Sequence, residues 1–239
     1  MPFVAPPART SRMELLDALD TGVTPTALAD NLRDIRLANR WFGGVRAVLR
    51  TLAPIFDGQA QAEPLTLLDI ATGSADIPLA IDAFASRRNR PIRIVATDLQ
   101  PEVLAVARAA VGTRSITVEQ ADALELPYGD ATFDVVILSL ALHHFQPEAA
   151  VQVLGEMKRV GRRLLIVNDL ERSWLGLAGA WLFSRVLTTN PITRNDAPLS
   201  VRRAYTRSEA LALAHAAGWH AARVRYSVPH RFILTGRPA

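Results

Sequence analysis

The sequence of 239 residues contains no cysteine, a single lysine and no long apolar run. Without cysteine the chain has no disulfide, no thiolate metal site and no cysteine nucleophile. No stretch approaches the ~20 apolar residues that a helix needs to cross a bilayer, and the first residues carry no apolar core of signal-peptide length. We therefore predict a cytoplasmic protein without a transmembrane segment.

Positive charge is in slight excess, and it is almost entirely arginine. The chain has 27 basic and 23 acidic residues, a formal net charge of +4, and Lys158 is its only lysine. The arginines occur in short clusters, such as 87–90 and 202–203, interspersed with acids, which is typical of solvated faces. Charge alone therefore gives little support to a nucleic-acid partner.

The most informative local pattern is an apolar stretch followed by a loop of small residues. Residues 65–69 predict a buried strand, and the loop after them leads to a helix start at Asp76. Such a unit commonly holds a nucleotide-like ligand. A dinucleotide fingerprint needs three glycines spaced G-x-G-x-x-G, and only Gly73 stands at this turn. The chain also has no Tyr-x-x-x-Lys pair, so an NAD-dependent dehydrogenase is disfavoured.

Two further predicted strands end in acids. The stretch 92–97 leads to Asp98, whose carboxylate can accept hydrogen bonds from both hydroxyls of a ribose. The stretch 116–119 is followed by Asp122, and 135–140 forms a fourth apolar strand. Three acids at the ends of successive strands are more specific than the first loop alone, and they favour a ligand that contains a nucleoside.

The order of the predicted elements defines the fold class. Strands and helices alternate from residue 65 to 168, which predicts a parallel sheet with right-handed crossovers. The last two predicted strands, 223–227 and 231–235, are separated by only three residues and must pair antiparallel. We predict an α/β fold, with a seven-stranded mostly parallel sheet, a C-terminal antiparallel hairpin and an N-terminal helical cap.

Two segments stand outside this alternation. Residues 1–60 are predicted to form the helical cap, because Thr24-Pro25 combines an N-cap residue with a proline at the first helical position. Residues 61–239 form the main domain, in which 170–205 is too long for a plain connection and is predicted to be a substrate lid. The first half of this insertion predicts an apolar helix, and the second half, from residue 190, a loop rich in turn formers.

Over roughly residues 65–169, the strand-end acids and the first loop resemble a class I S-adenosylmethionine-dependent methyltransferase of Rossmann-like fold. The resemblance implies S-adenosylmethionine as the cofactor. Asp69 and the following loop would wrap its methionine end, Asp98 would bind the ribose hydroxyls, and Leu99 would lie against the adenine. The implied cofactor-binding residues are Asp69, Ala71, Thr72, Gly73, Ala75, Asp98, Leu99, Asp122, Ala123, Ser139 and Leu140.

The chain departs from the family at two positions of the first loop. Ala71 and Ala75 stand where the family usually has glycine. Because alanine is tolerated where φ is negative, we predict that Gly73 alone adopts the strained turn conformation.

Catalytic residues are expected at the carboxyl ends of the fourth and fifth strands, which lead into His143, His144 and Asp169. An imidazole titrates near neutrality and can deprotonate a phenol or an enol. We favour His144 as the base, with His143 as the second candidate; alternatively, one histidine only shapes the loop and contacts the cofactor. Asp169 would orient His144, bind substrate or cap the next helix. The other histidines have no partner at metal-ligand spacing, so no metal is predicted.

Candidate substrate contacts follow in the insertion. Trp174, Trp181 and Phe183 either line a pocket for an aromatic or lipid-tailed substrate or belong to a core helix packed on the cap. Asp169 and Tyr205 flank the insertion and are further candidates for substrate binding, because long loops near a strand edge usually carry specificity.

Within the family, the His-His-Phe loop and the run 126–134 look most like the ubiquinone/menaquinone biosynthesis branch. The pairing of 168–173 with 198–205 is similar to methyltransferases associated with type III polyketide synthases. The resemblance implies O-methylation, or alternatively C-methylation, of a small apolar aromatic hydroxyl compound such as a phenol, quinol or pyrone. It leaves the oligomeric state open.

Two other functions stay open. A nucleic-acid methyltransferase ordinarily carries an Asn/Asp-Pro-Pro segment after the fourth strand to hold a flipped base, and this chain has none there. A partner protein that binds S-adenosylmethionine without catalysis would show binding and no turnover.

Overall fold

A mixed seven-stranded sheet forms the centre of the computed structural model, which describes residues 5–17, 23–57 and 63–238. The strands are β1 Leu65–Ile70, β2 Ile92–Asp98, β3 Ile116–Gln120, β4 Phe133–Ser139, β5 Gly161–Leu170, β6 His220–Ser227 and β7 Arg231–Arg237. The α-helices are α1 Pro25–Trp41, α2 Gly44–Asp57, α3 Asp76–Ser86, α4 Pro101–Val111, α5 Pro147–Val160, α6 Trp174–Val186, α7 Pro191–Arg203 and α8 Arg207–Ala216.

The strand order is β3-β2-β1-β4-β5-β7-β6. Strands β1 to β5 pair parallel, whereas β7 pairs antiparallel with both β5 and β6. The predicted fold class and its closing antiparallel hairpin are therefore confirmed. Because β1 and β4 are adjacent at the centre and their connections leave in opposite directions, the switch point between them opens at their carboxyl ends.

The core has two layers, one on each face of the sheet. Successive residues of β4 alternate between them: Val135 and Ile137 pack with α2, α3 and α4, whereas Val136 and Leu138 pack with α5 and α8. This alternation follows from the period of two along a strand. All four side chains are fully buried, so the sequence of β4 shows a continuous apolar run.

The predicted start of the first cap helix is confirmed. The Thr24 hydroxyl accepts a hydrogen bond from the backbone N–H of Ala27, and Pro25 occupies the first turn of α1. Helix α1 packs against α2, α4 and α7, so it lies across the carboxyl-end side of the sheet. Residues 1–4, 18–22 and 58–60 of the predicted cap lie outside the described residues.

The second half of the insertion was predicted as a loop, and this prediction is wrong. Residues 191–203 form the helix α7, which Asn190 caps by accepting hydrogen bonds from the N–H groups of Ile192 and Thr193. The Asn-Pro pair at the start of α7 is the same kind of signal as Thr24-Pro25, but the polar composition of the segment concealed it. Pro198 lies inside the helix.

The interpretation of the first half of the insertion as a buried core helix is also wrong. Helix α6 forms as expected, with the Ser173 hydroxyl accepting from the N–H of Gly176. Only Gly176 and Ser184 of its thirteen residues are buried, and most of its large apolar side chains face solvent.

The loop after β1 is more strained than predicted. Ala71, Gly73 and Ala75 all have positive φ, at 53°, 56° and 57°, so Gly73 does not carry the turn alone. A left-handed alanine costs about 1–2 kcal/mol, and it persists where the surrounding structure fixes it. Leu140, after β4, is left-handed as well, with φ of 54°. Strain of this kind clusters at functional sites, and both loops face the same cavity.

Candidate active site

A cavity of about 990 Å³ lies at the carboxyl ends of β1, β2, β4 and β5. Its opposite wall comes from α1, α6, α7 and residues 11–17. The volume is at the upper end of small-molecule sites, which leaves room for a cofactor and an acceptor side by side. The predicted cofactor residues that line it are Asp69, Ala71, Thr72, Gly73, Asp98, Leu99, Asp122, Ala123, Ser139 and Leu140. The remaining one, Ala75, is fully buried behind the loop.

Asp98 links the first two strand ends. Its Oδ2 accepts a hydrogen bond from the backbone N–H of Gly73 at 3.0 Å, and its Oδ1 accepts from the N–H of Gln100 at 3.3 Å. Burial raises the pKa of Asp98, and these backbone hydrogen bonds oppose that shift. The carboxylate therefore fixes the shape of the first loop and also presents lone pairs to the cavity, as a ribose-binding acid must.

Two polar atoms at the methionine end of the predicted site have no hydrogen-bond partner. They are Asp69 Oδ1 and Thr72 Oγ1, which are buried, while both residues line the cavity. Unpaired buried polar atoms are costly in a finished interior and normal in a ligand site. Burial, with smaller contributions from Asp76 and Asp98, raises the pKa of Asp69 to about 8, although Thr72 opposes the shift. This end of the cavity thus fits a group that brings positive charge and N–H donors, as S-adenosylmethionine does.

His143 is held by Asp169 at the other end of the cavity. Its Nδ1 lies 2.7 Å from Asp169 Oδ1, and its backbone N–H donates to Asp169 Oδ2 at 3.0 Å. A carboxylate only accepts, so Nδ1 carries a proton, and in the neutral imidazole the lone pair is on Nε2. Burial opposes ionisation of Asp169, yet His143 and two backbone N–H groups lower its pKa overall. An imidazole oriented by a buried carboxylate has the arrangement of a general base.

His144 has a different environment. Its Nδ1 lies 2.6 Å from Asp17 Oδ1, outside the alignment of a good hydrogen bond. Burial lowers the pKa of His144, but Glu14 and Asp17 together outweigh that effect and raise it to about 9. His144 is therefore an imidazolium at neutral pH in this arrangement, whereas a base must be neutral.

Three charged residues of this cluster were missed by the sequence analysis. Arg203, buried at the end of α7, donates to the carbonyl oxygens of His143 and His144 at 3.2 and 2.6 Å. It also pairs with Asp17 Oδ2 at 3.1 Å and lies 3.6 Å from Glu14 Oε1. No local pattern marks these residues, because about 190 positions separate the acids from the arginine and only the tertiary fold brings them together.

A metal ion has one candidate set among the described residues. Glu14, His143 and His144 offer ligand atoms that all lie within 4.8 Å of one another. The Arg203 guanidinium already supplies positive charge beside Glu14, and we assign no metal to this set.

The predicted substrate residues do not come together. Phe183 lines the cavity, where its ring meets that of Phe42 edge-on at 5.4 Å. Trp174 and Trp181 are about half exposed and point away from the cavity. Tyr205 is buried outside it and donates its hydroxyl to the carbonyl of Phe145. Asp169 lies behind His143, so it orients His143 rather than His144 and does not reach the cavity. The positions of Trp174, Trp181, Tyr205 and Asp169 thus do not support direct substrate contact.

The raised pKa of His144 predicts a pH-dependent stability. Its folded-state pKa of about 9 exceeds the ~6.5 of an unfolded chain, so protonation favours folding. The groups that face it are Glu14, Asp17, His143 and Arg203. This stabilisation is complete below pH ~6.5 and is lost as the pH rises through about 9. We expect the free energy of unfolding to fall by about 1–3 kcal/mol across that interval on account of this group.

Urea unfolding at pH 6.0 and 9.5 measures this loss. The variant His144→Gln should show a smaller decrease than the wild type, and all other titrating groups are common to both proteins. An equal decrease in the two proteins would contradict the assignment of charge to His144.

Comparison with known proteins agrees with the fold and with the predicted cofactor. Residues 68–164 match a family model described as a methyltransferase domain. The crystal structure of a SAM-dependent methyltransferase from Aquifex aeolicus has the same fold, with a TM-score of 0.63 at 17% identity, and the match covers 87% of this chain and 97% of that one. Residues 68–164 thus match a methyltransferase domain, and the chain has the fold of an S-adenosylmethionine-dependent methyltransferase, in agreement with the predicted enzyme class and cofactor.

Two curated relatives are more similar in sequence. The chain is 35% identical over 110 residues to a demethylmenaquinone methyltransferase of Deinococcus radiodurans, which covers 44% of this chain and 43% of the relative. It is 33% identical over 109 residues to a ubiquinone/menaquinone biosynthesis C-methyltransferase of Geobacter sp. strain M21, covering 43% and 44%. The chain therefore matches less than half the length of either relative. Among the described residues, no helix is both long and apolar enough to pass through a bilayer.

Proposed function

We propose that this protein transfers a methyl group from S-adenosylmethionine to a small apolar aromatic acceptor that carries a hydroxyl group, such as a phenol or a quinol. One observation carries the proposal: the imidazole that Asp169 orients, His143, lies in the wall of the same cavity as Asp98 and Gly73. The names of the two curated relatives, which refer to quinone biosynthesis, support the same class of acceptor.

The walls of the acceptor end suit an apolar ring. Phe42 and Phe183 form one side, and Ile35, Met13 and Val201 also line the cavity. Apolar walls exclude water, which strengthens the electrostatic interactions inside and protects the reacting groups. Residues 11–17 and helix α7 lie over the cavity, and we propose that these two segments serve as the lid for the acceptor.

His143 provides the proton acceptor that a hydroxylated ring requires. We assign to its Nε2 the removal of the hydroxyl proton, which leaves a phenolate and an imidazolium. Asp169, 2.7 Å from Nδ1, stabilises the imidazolium, and its lowered pKa keeps it ionised. When bound, S-adenosylmethionine supplies a methyl group on a positively charged sulfur. The chain aligns the acceptor with that group, and alignment is worth several orders of magnitude in rate.

Our expectation from the sequence was methylation on oxygen, and the name of the Geobacter relative favours carbon. One base serves both outcomes, because a phenolate carries negative charge on its oxygen and on the ring carbons ortho and para to it. We keep O-methylation as the first proposal and C-methylation as the second.

A set of matched acceptors separates the two outcomes. The assay uses labelled S-adenosylmethionine with a resorcinol, with the same compound blocked by methyl groups at all ortho and para carbons, and with its dimethyl ether. For O-methylation we expect the blocked compound to be turned over and the ether to be inert. If the parent compound gains a ring methyl while the blocked one is inert, the second proposal replaces the first.

The alternative functions predict other results in the same assay. A non-catalytic binding protein would bind S-adenosylhomocysteine and transfer no label to any phenol, quinol or pyrone. A nucleic-acid methyltransferase would label RNA or DNA instead. Turnover on a small aromatic compound contradicts the first alternative, and the absence of label on nucleic acid contradicts the second.

A further inference from the structure

Helix α6 exposes an apolar surface that the core does not use. Its outward side chains are large, and Leu175 and Trp181 are 72% and 53% exposed. The exposed apolar residues of this helix and of its C-cap are Trp174, Leu175, Trp181, Leu182, Val186 and Leu187. Scattered exposed leucines are ordinary, but six large exposed apolar side chains within fourteen residues mark an interaction surface.

The inner side of the same helix forms a wall of the cavity. Gly176, Gly179, Ala180 and Phe183 line it. A single helix therefore separates the acceptor end of the cavity from the exposed apolar surface. Gly176 lies close to its neighbours, because a Cβ there would approach His230 Cβ to 3.2 Å, whereas a Cβ on Gly179 would meet nothing within 4 Å.

Two neighbouring elements extend the apolar surface. Trp41, at the end of α1, is 60% exposed, and it precedes Phe42, which contacts Phe183 of α6. Val228, in the turn between β6 and β7, is exposed, and its carbonyl lies next to Gly43. We call α6 with Trp41 and Val228 the apolar rim, because α6 lines the cavity and Trp41 and Val228 each precede a residue that lines it, Phe42 and Pro229.

The charges around the apolar rim are positive. Arg185 is the only charged side chain of α6, and Arg40 is exposed beside Trp41. Between residues 172 and 205 the chain has five arginines and one acid, Asp196. Asp196 is buried, and its two oxygens accept hydrogen bonds from the N–H groups of residues 15 and 16. Arg172 and Arg203 are buried too and pair with Glu209 and with Glu14 and Asp17, so the outward positive charge of this region comes from its other three arginines. No exposed acid lies among residues 172–205.

We propose that the apolar rim docks this protein onto the surface of an anionic phospholipid bilayer. Tryptophan and leucine side chains enter the boundary between headgroups and acyl chains, and arginines pair with the anionic headgroups. The positive charge selects a lipid surface over a second copy of this chain, which would bring arginine against arginine. The proposal goes beyond the proposed function, because docking requires neither cofactor nor acceptor. It gives an acceptor with a lipid tail a direct route from the membrane to the cavity.

Sedimentation of the full chain with extruded vesicles tests the docking. One set of vesicles is phosphatidylcholine, and the other contains 30 mol% phosphatidylglycerol. We expect at least about fivefold stronger binding to the anionic vesicles for each arginine involved, with the preference lost at high salt. The variant Leu175→Ser/Leu182→Ser should bind the vesicles at least about tenfold more weakly than the wild type. The two substitutions remove apolar area from the boundary between headgroups and acyl chains.

Matched variants serve as controls. Leu175→Met/Leu182→Met keeps the apolar area and should bind like the wild type. Arg185→Gln should weaken binding to anionic vesicles, whereas Arg87→Gln, at the far end of α3 from the cavity, should not. Affinity for S-adenosylhomocysteine should be equal in all variants, since none of these side chains lines the cavity, which shows that each protein is folded.

Two results would overturn the docking proposal. One is equal vesicle binding by the wild type and the Leu→Ser double variant. The other is a concentration-dependent dimer in analytical ultracentrifugation that the double variant abolishes, with no vesicle binding by the wild type. Neither result depends on turnover, so a failure of the proposed function is seen separately, in the acceptor assay.

Discussion

Replacement of Asp98 by alanine is expected to lower the affinity for S-adenosylhomocysteine by about a hundredfold or more. The carboxylate accepts hydrogen bonds from the N–H groups of Gly73 and Gln100 and faces the cavity. Hydrogen bonds to a charged group contribute about 1.5–3 kcal/mol each, and the loss of two such contacts to the ligand corresponds to a factor of about 100 or more. The loss of the Gly73 contact also releases a loop that contains left-handed alanines.

Titration calorimetry measures this effect, and two further variants define it. Asp98→Asn keeps one carbonyl oxygen and should lose about tenfold, because the charge is gone while an acceptor remains. Glu102→Ala removes an exposed acid in the first turn of α4 and should bind normally. Thermal unfolding checks that each variant is folded. Binding by Asp98→Ala within threefold of the wild type would contradict the assignment.

Replacement of His143 by alanine is expected to lower kcat on a phenol by about 10²–10⁴-fold, which is the usual contribution of a general base. Affinity for S-adenosylhomocysteine should stay within threefold, since His143 is not among the residues assigned to the cofactor and its imidazole is held by Asp169. His144→Gln should reduce kcat much less, because His144 is already protonated at the pH of the assay. The measurement is steady-state turnover at saturating acceptor, with KM determined separately.

A matched acceptor distinguishes a base from a residue that only shapes the loop. A nitrophenol is largely ionised at pH 8 and needs no base, so His143→Ala should recover most of its turnover on that compound. Asp169→Asn should behave like His143→Ala, because an amide does not stabilise the imidazolium. If both acceptors lose turnover equally, or if cofactor binding is lost, His143 acts on structure and not on the proton.

The sheet and the cofactor end were predictable because their signals are local. Each strand end carries its acid within a few residues of an apolar run, and a three-residue link between β6 and β7 leaves only antiparallel pairing. The choice between His143 and His144 was not predictable. It depends on Asp169 and on Glu14 and Asp17, whose positions relative to the imidazoles follow from the packing of the whole chain.

The insertion illustrates a second limit. An apolar stretch indicates a helix, but it does not say whether the helix faces the core, and α6 turns Trp174 and Trp181 to solvent.

The left-handed alanines of the loop after β1 are a third case. Alanine at positive φ is unfavourable alone, and here the loop is fixed by the backbone N–H of Thr72, which donates to Thr97 of β2, and by that of Ala75, which donates to Thr72.

The salt-bridged cluster at the histidines also sets an order of events during synthesis. Glu14 and Asp17 leave the ribosome early, while their partner Arg203 emerges about 190 residues later. At a translation rate of about 5–20 residues per second, the acids wait on the order of ten seconds or more for that partner. Contacts of such sequence separation form late in folding. The segment 11–17 is therefore expected to close over a sheet that is already assembled, so that the cluster of Glu14, Asp17, the two histidines and Arg203 is among the last parts of a newly made molecule to reach its native arrangement.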